Sequence, residues 1–146
     1  MHDRILTTDA AGYRTMVLVF EIGEEVVQGL TDYARAHALA GSHFTAIGAL
    51  REATLGYWDW DRKDYERNEV GEQVEVVALS GNVATAPDGG PKVHAHVVVA
   101  RRDGTALGGH LLRGIVRPTL ELVLTELPAH LHRRTDPATG LALLTP

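Results

Sequence analysis

Apolar positions along the chain fall into short β-like runs around a single helical stretch. Met16 to Ile22 (MVLVFEI) is the first compact apolar run and predicts a strand. Gly23 breaks it, and Glu24-Glu25 then suit a first helical turn, where acids favour the positive end of the helix dipole. From Glu24 to Ala40, Val26, Val27, Leu30, Tyr33, Ala34 and Ala38 recur at three- and four-residue spacing, which predicts an amphipathic helix stopped by Gly41. Gly29 lies inside it and costs ~1 kcal/mol relative to Ala, a weakness that close packing would justify. His37, beside the apolar stripe, reads as structural.

Phe44 to Leu50 and Ala53 to Trp60 predict two further strands, with Trp58 and Trp60 on one face of the second. Paired tryptophans suit packing or an oligomer contact, and ligand stacking is the functional alternative. Asp61 to Glu72 mixes both signs of charge and reads as a solvated turn with a short strand. Gln73 to Ala84 predicts a long strand with a bulge or kink at Ser80-Gly81-Asn82. Arg117 to Leu127 predicts a closing strand, Leu120, Leu122 and Leu124 alternating with polar residues, and Pro118 fits a strand start or edge. The tail from Pro128 is less regular: His130 and His132 read as surface, and Leu141 to Leu144 as a last edge strand. Without repeats or linkers, residues 1–146 predict one domain, with a core of about 13–127 and an extension over 128–146.

The chemistry concentrates in Pro91 to Gly114 (PKVHAHVVVARRDGTALGGHLLRG). Val93 to Ala100 carries His94 and His96 two residues apart, so on a strand both imidazoles leave the same face. An Asp-Gly pair follows at 103–104, a hairpin signal, and Thr105 to Arg113 carries His110 after Gly108-Gly109. A two-residue loop would set His110 opposite Val97, on the wrong face. A three-residue loop (Arg102, Asp103, Gly104) pairs Arg101 with Thr105, sets His110 opposite His96, and places Gly104 at the left-handed position such a loop needs. On that register His94, His96 and His110 form one triangle. Three imidazoles and an open position are a catalytic-type zinc donor set. Polar or interface histidines and metal-free acid–base catalysis are the alternatives.

The chain lacks cysteine, which removes disulfides and thiolate ligands. Its formal net charge of -5 opposes a general DNA binder, because duplex affinity draws on Lys and Arg neutralising phosphates. No apolar run approaches the ~20 residues of a membrane helix, and Met1-His2-Asp3-Arg4 opens no signal-peptide pattern, so a cytoplasmic protein is expected.

GALREATLGYWD (48–59), QVEVVALSGNV (73–83), KVHAHVVVARRDGTALGGHLLRG (92–114) and VRPTLELVLTEL (116–127) together resemble the plant-and-prokaryote-conserved (PPC) domain, prokaryotic stand-alone type. The resemblance spans roughly residues 13 to 144, and His-x-His followed by Gly-Gly-His is its most specific part. It implies a compact α/β domain of α+β type, with a largely antiparallel sheet, one packed helix and homotrimeric assembly. It also implies that His94, His96 and His110 hold a divalent metal ion, often zinc. Plant relatives join this domain to AT-hook segments that contact DNA, but this chain has no Arg-Gly-Arg-Pro hook. The plant Gly-Arg-Phe-Glu-Ile-Leu stretch is here Glu72-Gln73-Val74-Glu75-Val76-Val77, without its arginine. The readings carried forward are a metal-binding trimer, a metal-dependent hydrolase or lyase acting on a small molecule with Glu75 or Glu121 as base, a DNA-binding regulatory module, and an interaction scaffold.

Overall fold

The computed structural model describes residues 1–145. In chain order the elements are β1 (His2–Thr8), β2 (Arg14–Phe20), α1 (Val26–Ala36), β3 (Gly41–Asp59), β4 (Asp64–Val70), β5 (Val74–Thr85), β6 (Pro91–Ala100), β7 (Ala106–Glu126), β8 (His132–Thr135) and β9 (Ala142–Thr145). Nearly all pairings are antiparallel; β5 with β8 is the parallel exception. The result is a single domain of one mixed sheet and one helix, as the resemblance implies.

Two long strands organise the sheet. The expected strands over 44–50 and 53–60 are one strand, β3, and those over 105–113 and 117–127 are one strand, β7. Register shifts near Gly48, Leu50 and Thr54 absorb the breaks in pattern that made each look like two. Pro118 therefore sits inside β7, at one of these irregularities, and not at a strand start. β7 pairs with β6 through its first residues and with β3 along the rest, while β5 bridges β3 and β6. These contacts close a ring β3-β5-β6-β7, which leaves few free edges. β2 and then β1 extend the sheet from β7. β1, for which the sequence pattern gave no signal, is largely exposed and is tied down at Tyr33, whose hydroxyl donates to Asp3.

Alternation decides what is buried. Met16, Leu18 and Phe20 of β2, Val93, Ala95, Val97 and Val99 of β6, and Leu120, Leu122 and Leu124 of β7 all enter the core. Helix α1 covers that face with Val26, Leu30, Tyr33 and Ala34, against β6 and β7. It begins at the Glu25 cap, which accepts from the Gln28 amide and also from the Gly114 amide of β7. It ends at Ala36, earlier than expected, with Ala38 left-handed and the Leu39 amide donating to the Ala34 carbonyl. Gly41 is thus not the stop; it opens β3, where a Cβ would lie 3.1 Å from the Leu131 amide nitrogen. Gly29 fits its expected reason, since a Cβ there would lie 2.7 Å from the Phe20 ring.

The expected bulge at 80–82 is displaced. Ser80, Gly81 and Asn82 pair regularly with both neighbours, and the extra residue is Val77. Glycine at 81 serves close approach instead: a Cβ would strike the His94 carbonyl and lie 2.5 Å from the Phe44 ring. Gly81→Ala should therefore cost about 1–3 kcal/mol by overpacking. Gly71→Ala, with nothing within 4 Å of the added carbon, should stay within about 0.5 kcal/mol. Urea unfolding of both variants checks the contrast, and equal losses would refute it.

Candidate metal centre

The β6–β7 hairpin closes with the three-residue loop: the Arg101 amide donates to the Thr105 carbonyl at 2.9 Å, and Gly104 has φ of 83°. This register sets His96 opposite His110. On the other side of β6, His94 faces Asn82 and His96 faces Ser80 of β5. Because Val93, Ala95 and Val97 point into the core, His94 and His96 leave the opposite face of the sheet. The three rings form a nearly equilateral triangle, with centroids 5.2 Å (94–96), 5.0 Å (94–110) and 5.3 Å (96–110) apart. One nitrogen from each lies within 4.8 Å of the others.

The surroundings hold two of these rings neutral. Burial first, then the charges of His94, His96, Lys92 and Arg133, pushes His110 down to about 4. Burial and then Arg133, His96 and Lys92 lower His94 below its ordinary value. Neutral imidazole is the metal-ligating form. His110 Nδ1 is buried without a hydrogen-bond partner, so the protein itself leaves one nitrogen of that ring unsatisfied. The donor set thus fits a divalent ion that accepts nitrogen ligands.

Tyr65 of β4 stacks on His110 at 4.7 Å between centroids, and Trp58 meets Tyr65 edge-on at 5.0 Å. Gly56, opposite His110 on β3, makes room for this: a Cβ there would lie 2.7 Å from the Tyr65 ring. Trp60 does not share the Trp58 environment. It lies in the turn after β3, exposed, with the Lys63 ammonium 3.8 Å from its ring centre.

His130 and His132 are exposed and outside the triangle, as expected. Their neighbour Arg133, in the same irregular tail, is only 5% exposed. Its Nη2 donates to Asn82 Oδ1 at 2.6 Å and lies 3.4 Å from His94 Nδ1, while Nη1 donates to the Ala142 carbonyl. The available signal was alternation, since an exposed His132 on a strand turns Arg133 inward. Neither carboxylate singled out as a base reaches the triangle. Glu75 pairs opposite Ala100, and Glu121 sits opposite Ile47 toward the far end of β7. The cleft beside the histidines, about 280 Å³, is lined by Tyr65, Lys92, His94, His110, Arg133 and the β8–β9 hairpin.

Comparison with known proteins agrees with this architecture. The bifunctional protein GlmU of Synechococcus sp. (strain JA-3-3Ab) is 40% identical over 121 residues, covering 81% of this chain. The match takes up only 18% of GlmU's own length. The metal-containing protein AF0104 of Archaeoglobus fulgidus superposes with a TM-score of 0.83 at 32% identity, over 90% of this chain and 93% of that one. A candidate DNA-binding protein of Ralstonia eutropha JMP134 gives 0.84 at 30% identity, over 95% and 94%. The family model of the Plants and Prokaryotes Conserved (PCC) domain matches residues 7–128, so the chain belongs to the family whose pattern its His-x-His and Gly-Gly-His stretches resemble.

Proposed function

We propose that this PCC domain binds one divalent metal ion, zinc foremost, through His94, His96 and His110. The observation that carries the reading is the triangle itself, one nitrogen from each of three histidines within 4.8 Å of the others. The name of the A. fulgidus relative as a metal-containing protein supports it. Bound there, such an ion would supply Lewis acidity or an activated water. The chain's own contribution is to hold His94 and His110 neutral, to fix His110 against Tyr65, and to leave a cleft beside it. Among the described residues no carboxylate lines that cleft, so metal binding is better supported than hydrolysis or elimination with a protein carboxylate as base.

We also propose that copies assemble as a homotrimer. The outer sheet face exposes Ile47, Val77 and Val123 beside a groove of about 490 Å³, apolar surface of the kind that copies of a chain cover. Duplex DNA is a weaker reading. It draws on the R. eutropha relative, and the net charge of -5 opposes it.

Elemental analysis of untagged protein should find near one ion per chain. His96→Ala and His110→Ala should each bring it close to zero while the fold survives by circular dichroism. Full occupancy in both variants would refute the site. Proton competition gives an independent check on chelator-treated protein. A folded-state value of about 4 for His110 lies below the ~6.5 of an unfolded histidine. The unfolded chain therefore takes up this proton first, and stability present above pH ~6.5 falls as pH drops toward 4. Denaturant midpoints between pH 7.5 and 4.5 should show this slope, and His110→Asn should flatten it.

A further inference from the structure

The cleft beside the histidines carries positive charge with nothing in the described protein to balance it. Arg133 is 5% exposed, yet its hydrogen bonds go to neutral acceptors, Asn82 Oδ1 and the Ala142 carbonyl, and its Nε is buried without a partner. Burying a guanidinium without a counter-charge is costly, and native proteins normally pair it. Lys92 lines the same cleft, and among the described residues neither cation has a carboxylate within ion-pair distance. The chain holds 19 acidic residues. None of them lines this cleft.

We propose that the cleft between the β8–β9 hairpin and the histidine strands binds a small organic carboxylate, with Lys92 and Arg133 as its counter-charges. The proposal deepens the metal reading, since a bound cation would add to the same field, but the charges of Arg133 and Lys92 stand without it. The volume of about 280 Å³ lies at the small end of ligand sites. Val93, Leu141 and Leu143 supply an apolar wall, and Tyr65 an aromatic one, so the ligand is a carboxylate on a short apolar body. Two N–H groups of Arg133, one on each terminal nitrogen, are already engaged by the protein. A carboxylate, with two oxygens, is satisfied by what remains more readily than a phosphate dianion, which takes several donors at once.

The test is calorimetric titration of zinc-treated protein with benzoate, with the uncharged isostere benzamide and with inorganic phosphate. Benzoate should bind, and benzamide and phosphate at least about tenfold more weakly, as expected when a charge-assisted contact is lost. Lys92→Met and Arg133→Met should each weaken benzoate by a similar factor. Lys92 is exposed, so its variant keeps the test valid even if Arg133→Met unfolds. No benzoate binding, equal binding of benzamide, tighter binding of phosphate, or indifference to Lys92→Met would overturn the proposal. Metal content measured on the same samples keeps the readings apart. Benzoate binding to zinc-treated protein that has taken up no metal would leave the anion cleft standing and remove the metal centre. Full metal with no benzoate binding would do the reverse.

Discussion

The register of the β6–β7 hairpin is the constraint on which the candidate site depends. One loop residue fewer would place His110 opposite Val97, and every side chain of that strand end would change faces. Gly104 makes the longer loop possible by accepting a left-handed backbone, and Asp103 steadies it by accepting from the Thr105 amide at 2.9 Å. The same register buries Val97 and Val99. Core packing and ligand placement are therefore one choice, and a slip would lose both.

Around that hairpin, backbone approaches closely at places where only glycine fits. Gly81 lets β6 lie against β5 over Phe44, and Gly56 lets Tyr65 lie on His110. The first supports the strand bearing His94 and His96; the second fixes the ring of His110. Burial then sets the chemistry. The two half-buried imidazoles, beside Lys92, Arg133 and the exposed His96, sit where positive charge is disfavoured, so protons are kept off His94 and His110.

The histidine triangle was legible in the sequence because it rests on two local rules, strand alternation and turn chemistry. The helix was legible for the same reason, through its apolar period. What was hidden is long-range. Nothing local shows that 44–50 and 53–60 are one strand, because bulges restore on the partner what the pattern loses on the strand. Ser80-Gly81-Asn82 looked like a bulge, since a glycine in a strand has two explanations and only a neighbour's position separates them. β1 was missed because a largely exposed edge strand has no apolar face to display. Arg133 was missed because a four-residue strand is too short to show a period.

The β8–β9 hairpin meets the rest of the sheet through the Thr85–His132 pairing of β5, yet it delivers the most buried cation of the histidine cleft. The three histidines lie within the family-model match over residues 7–128, and Arg133 lies beyond it. The imidazoles and the wall that faces them thus belong to separable parts of the chain. A change confined to this terminal hairpin can retune what the cleft admits while leaving all three imidazoles, and the strands that aim them, in place.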